Sequence, residues 1–139
     1  MKKIYIAAIC ATSIFLISFG SDNYFNVDYR STDNPSAGRF DISFTNTTKR
    51  NICFGATSWP LQGELYPAPG EVWIQVDSVK YVAKPAGEAC VSCKAKIRPG
   101  ETISGSLSYR MFQLPQKYYG KAKILHFDVT GYKCSYLGG

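Results

Sequence analysis

The chain has 139 residues and a formal net charge of +6, from 16 Lys and Arg against 10 Asp and Glu, a length suited to one domain around one core. The basic residues are scattered from Arg30 to Lys133, which reads as a solvated surface and argues against a nucleic-acid face. What remains open to such a charge is a weak attraction to anionic glycans, lipid head groups or an acidic protein partner.

Met1-Lys2-Lys3 and the apolar run Ile4 to Phe19 have the basic and hydrophobic regions of a secretory signal. Ser18 and Gly20 put small residues at the positions that guide cleavage, so the signal peptide is expected to be residues 1–20. The run is short for a membrane span of about 20 residues, so no stable insertion is expected after cleavage. Cys10 follows Ala8-Ile9 within the run, which argues against a lipoprotein cysteine. Cleavage would leave 119 residues with 14 basic and 10 acidic side chains, a charge of +4, in the periplasm or outside the cell.

Residues 21–38 are polar and contain the turn-rich Asp33-Asn34-Pro35-Ser36-Ala37-Gly38, the composition of a flexible lead-in. Order is expected from Arg39, where Phe40, Ile42 and Phe44 alternate with Asp41, Ser43 and Thr45 as in a half-buried strand. A polar connection over 46–51 leads to the apolar Ile52-Cys53-Phe54. From Ser58 to Gly70, three prolines and two glycines predict a long loop carrying Trp59 and Tyr66. Residues 71–76 and 79–82 flank Asp77-Ser78 and predict a hairpin, with Trp73 in the core. After Pro99-Gly100, the residues Ile103, Gly105, Leu107, Tyr109 and Met111 fall on one face of an expected strand. Tyr118-Tyr119-Gly120 reads as a turn, and Leu125, Phe127 and Val129 as a last strand leading to Cys134. No stretch carries a sustained helical repeat. The expected fold is all-β: an immunoglobulin-like antiparallel sandwich of about seven strands over residues 39–139, stapled by disulfides.

Beyond the signal, Cys53, Cys90, Cys93 and Cys134 make an even count in an exported domain, which favours disulfides. Four cysteines allow three pairings; the preferred one joins Cys90 to Cys93 and Cys53 to Cys134. A redox reading of Cys90-Val-Ser-Cys93 requires a helix N-terminus to lower the thiol pKa. The following Lys94-Ala-Lys-Ile-Arg-Pro-Gly runs into a turn instead. A zinc site built from all four cysteines lacks the second CxxC knuckle that such sites use.

His126 is the only histidine and shares a strand face with Asp128, a pair that could orient a general base. No nucleophile motif accompanies it, and a solvated strand carries such pairs for no catalytic reason. Glu64, Glu71, Glu88 and Glu101 sit in or beside expected turns, with nothing marking any two as a catalytic carboxylate pair. No catalytic residue, metal or cofactor is assigned. Aromatics on loops suit interfaces, because they combine area with a polar handle. Trp59, Tyr66, Tyr118 and Tyr119 are therefore the candidate partner contacts.

The stretch Phe40-Asp-Ile-Ser-Phe-Thr-Asn-Thr-Thr-Lys-Arg-Asn-Ile-Cys53 resembles the opening of bacterial immunoglobulin-like accessory domains, and Pro99-Gly100-Glu101-Thr102 is similar to their mid-domain turn. Small proteinase-inhibitor domains and noncatalytic domains of secreted peptidases share the pattern. The resemblance covers residues 39–134, implies a sandwich with a noncatalytic role, and transfers no functional residue. The resulting expectation is an exported binding protein, an inhibitor or immunity protein that blocks a periplasmic hydrolase or toxin. The alternatives are a structural or adhesive surface subunit and a thiol redox protein acting through the CxxC.

Overall fold

The alternation at Arg39–Thr45 forms a strand, β3, that buries Phe40, Ile42 and Phe44 and leaves Arg39 and Thr45 in solvent. The computed structural model describes residues 23–61, 63–66, 72–84, 87 and 93–137. The signal segment lies outside these residues. Among the described residues, no helix is long and apolar enough to cross a membrane.

The fold is all-β, with every strand pairing antiparallel. β3 is central in a sheet between β2 (Arg30–Asn34) and β8 (Thr102–Ser108). A four-stranded sheet runs in the order β1 (Tyr24–Asn26), β10 (Thr130–Lys133), β4 (Ile52–Gly55), β7 (Lys94–Ile97). The third sheet places β5 (Trp73–Val76) between β6 (Val79–Val82) and β9 (Ile124–His126). Phe44 of β3 meets Phe54 of β4 edge to face at 5.2 Å, and Ile74, Val76 and Leu107 close the same core from β5 and β8. This is the packing of a sandwich, in which each sheet gives one face to a shared apolar layer.

The expected hairpin forms, with Trp73 opposite Val82 and Val76 opposite Val79. Asp77 takes φ of 49° in its two-residue turn, a left-handed conformation that Asp tolerates better than most residues. The Asn46 side chain, wholly buried, donates to Arg50 O at 2.7 Å and Ile97 O at 3.0 Å. It thereby ties the turn after β3 to the end of β7.

Several expectations need correction. Among the described residues there are ten named strands where about seven were expected, and two of the additions lie in the supposed flexible lead-in. β1 pairs β10 and β2 pairs β3, so residues 24–34 belong to the sheets. The strand after Pro99-Gly100 stops at Ser108, whose side-chain oxygen accepts from Arg110 N and starts a 3-10 turn over Tyr109–Phe112. The last expected strand is two, β9 and β10, separated by residues 127–129. Trp73 is half-buried on the outer side of its sheet, not in the core.

Candidate functional site

Cys53 and Cys134 are bonded, with Cα atoms 5.1 Å apart and a sequence separation of 81. The bond fastens β4 to the end of β10. Cys93 is also disulfide-bonded, while Cys90, its expected partner, lies outside the described residues. With Cys53 and Cys134 joined to each other, the four-cysteine zinc site is ruled out. Cys93 directly precedes a strand, β7, so no helix begins at it.

Among the described residues, no hydrogen bond joins His126 to Asp128. The imidazole stacks on Trp73, with ring centroids 3.5 Å apart and planes 12° from parallel. Lys80 lies over the same indole at 4.5 Å. His126 Nε2 is buried and has no hydrogen-bond partner among the described residues. Asp128 acts elsewhere: its charge adds to burial in pushing the Tyr29 pKa up to about 12. Of the acidic residues considered, Glu101 accepts from Arg98 N at 2.6 Å and closes a turn, while Glu64 is exposed. Glu71 and Glu88 lie outside the described residues.

The four aromatic candidates separate. Trp59 is fully buried, stacked on Phe54 at 5.4 Å and edge-on to Tyr29 at 6.5 Å. It therefore cannot contact a partner, and its assignment as a binding residue is corrected. The reason is Gly105, where an added Cβ would sit 3.1 Å from Trp59 Nε1 and 3.0 Å from Pro60 Cγ. The glycine lets the Pro-containing loop fold inward. Tyr66 is half-buried, and its backbone N–H donates to Ala56 O at 3.1 Å. Tyr119 is half-buried and packs edge-on against Tyr109 at 4.7 Å.

Tyr118 is also half-buried, and the exposed Lys117 and Lys121 border it. It ends a 3-10 turn over Gln116–Tyr118, and its half-buried ring carries Lys117 at 4.9 Å and Lys121 at 5.3 Å. Tyr81 of β6 lies beside it at 6.3 Å. Lys121 is also ion-paired to Asp77 in the hairpin turn, and this hydrogen bond raises the lysine pKa. Two sequence-distant elements thus present one basic, aromatic patch.

The patch rests on a residue that sequence reading missed. The Lys123 side chain is 0% exposed, and its Nζ donates to Tyr119 O at 2.6 Å and Lys121 O at 2.7 Å. The same Nζ lies 3.1 Å from Asp33 Oδ2 and over the Tyr109 ring at 4.8 Å. Tyr109 in turn donates its hydroxyl to Asp33 Oδ1. Burial raises the Tyr109 pKa well above the ordinary tyrosine value, and the bond to Asp33 and the carboxylate charge raise it further. An ammonium has three protons, and here they face three acceptors. Two of those acceptors are backbone carbonyls of the Tyr118 turn, so the buried lysine fixes the shape of the exposed patch from beneath. No sequence signal separates Lys123 from the lysines around it.

Comparison with protein-family models, curated proteins and solved structures returns no match.

Proposed function

We propose that the protein is an exported binding protein of immunoglobulin-like type, an inhibitor or immunity protein that engages an acidic surface on a hydrolase or toxin. The observation that carries this reading is the Tyr118 turn. A half-buried ring flanked by two exposed lysines is braced by a buried lysine on two of the turn's own carbonyls. Holding contact groups in place before the partner arrives reduces the ordering cost of association. Aromatic and cationic residues together are also the chemistry of interface hot spots. Tyr81 and the β5–β6 hairpin turn extend the same surface.

The test is chemical crosslinking and capture from the periplasm of the producing cell, with wild type and the double variant Lys117→Glu/Lys121→Glu in parallel. The expected result is a hydrolase or toxin crosslinked at the Tyr118 turn, inhibited in stoichiometric titration by wild type and not by the variant. Capture that the double charge reversal leaves unchanged would refute the assignment of the surface. A captured partner whose activity the protein does not alter would refute the inhibitory role.

A further inference from the structure

A cleft of about 450 Å³ opens where the 48–51 turn enters β4 and β10 runs into the C-terminal 3-10 turn. Its apolar lining includes Phe25, Ile52 and Cys134, and its polar lining includes Arg50 and Lys133. The register explains the arrangement. Phe25 lies opposite Gly131 and Ile52 opposite Lys133, so these four residues share one face of the sheet. A Cβ at position 131 would come within 3.1 Å of both Ile52 Cγ2 and Phe25 Cε2. Glycine therefore lets two large side chains meet over the backbone and form a continuous apolar floor.

The rim is cationic and uncompensated. Among the described residues, no carboxylate lines the cleft. Among the described residues, neither Arg50 nor Lys133 takes part in an ion pair. The backbone under Arg50 is fixed, because Arg50 O accepts from Asn46 Nδ2 at 2.7 Å and from Thr48 Oγ1 at 3.0 Å. A buried asparagine thus holds one cation at the mouth, and pairing of β10 with β4 holds the other. An apolar floor of small-molecule size beneath two unpaired cations complements one kind of ligand, an apolar chain with an anionic head.

We propose that this cleft binds an amphiphilic anion, its carboxylate or phosphate head on Arg50 and Lys133 and its hydrocarbon tail over Phe25 and Ile52. The site shares no residue with the Tyr118 turn and does not depend on that reading.

The test is calorimetric titration of the exported full-length protein with decanoate, decyl phosphate and decanol, each kept monomeric. Both anions, or one of them, should bind, and decanol should bind at least about tenfold more weakly. A preference for decanoate assigns a carboxylate head, and one for decyl phosphate a phosphate head. Across eight-, nine- and ten-carbon acids, affinity should rise about fourfold per methylene, the factor expected for its burial. Arg50→Glu/Lys133→Glu should weaken the anions about tenfold or more while decanol binding stays unchanged. Both side chains reach the rim, so an unaltered melting temperature will show that the variant is folded. The proposal is overturned if neither anion binds, if charge reversal leaves their affinity intact, or if inorganic phosphate binds as well as decyl phosphate.

Discussion

Replacing Lys123 by Met should be among the most damaging single changes of charge in this protein. The ammonium is fully enclosed and supplies three acceptors at 2.6, 2.7 and 3.1 Å. Met fills much of the space but leaves the two carbonyls and Asp33 without their donor. Removing one partner of a buried pair costs about 3–5 kcal/mol. The Asp33 side chain retains 28% exposure, and water reaching it places the cost near the lower end, about 3 kcal/mol. With an unfolding entropy of about 2 cal/mol/K per residue, a domain of this length loses about 4 °C per kcal/mol, so melting should fall by about 12 °C. Asp33→Leu combined with Lys123→Met removes both charges, and the pair of changes should cost less than the sum of the two alone by about 2 kcal/mol. Calorimetric melting of the four proteins, in 0.15 M and 1 M NaCl, measures both quantities. The coupling should change little with salt, because a buried pair is poorly screened. A fall below about 4 °C for Lys123→Met, or strict additivity in the double variant, would refute the reasoning that this lysine is a structural brace.

Trp59→Ala should destabilise the domain by about 3–5 kcal/mol in urea unfolding, as expected for a large buried aromatic; a surface residue would cost almost nothing. Opening the disulfide with Cys53→Ser/Cys134→Ser should remove about 4.5 kcal/mol, from a loop spanning 81 residues, read as a lower urea midpoint in the variant. Alkaline stability carries a signature of the buried tyrosines. Burial raises the Tyr29 pKa from 10.0 to about 12, so its contribution is complete below pH 10 and disappears as pH rises towards 12. Melting temperature should fall across that interval, and Tyr29→Phe should make the fall shallower. Unchanged steepness would count against a half-buried, neutral Tyr29.

The parts of the fold that were legible in the sequence are those whose side chains record burial locally. Phe40, Ile42 and Phe44 alternate with polar residues because β3 has one face on the core, and the β5–β6 hairpin shows itself through its apolar arms and short polar turn. The Cys53–Cys134 bond was expected from cysteine parity and the reading of an export signal, with geometry needed to choose it from three pairings. β1 and β2 were hidden because their residues are largely polar and exposed. Their backbones pair with strands that already have an apolar face; β1 alternates over only three residues, too few to read, and β2 carries no apolar residue. Trp59 was misplaced because a Pro/Gly-rich segment reads as surface, whereas Gly105 in a distant strand opens room for it inside. Within the proposed contact patch, the aromatic Tyr118 was visible and its support was not. Lys123 lies among exposed lysines, and only tertiary neighbours distinguish an enclosed ammonium from a solvated one.

The position of β10 bears on how the chain is assembled. It lies between β1 and β4, with Tyr132 facing both Tyr24 and Cys53. A polypeptide emerging N-terminus first must therefore hold β1 without this partner until residues 130–133 have appeared. Completing this sheet requires β10 to enter between β1 and β4, where the Cys53–Cys134 bond fastens it. A chain cut short before residue 130 would not be a slightly smaller domain. It would be a sheet divided in two, with two open rows of backbone hydrogen-bonding groups offered to any neighbouring strand.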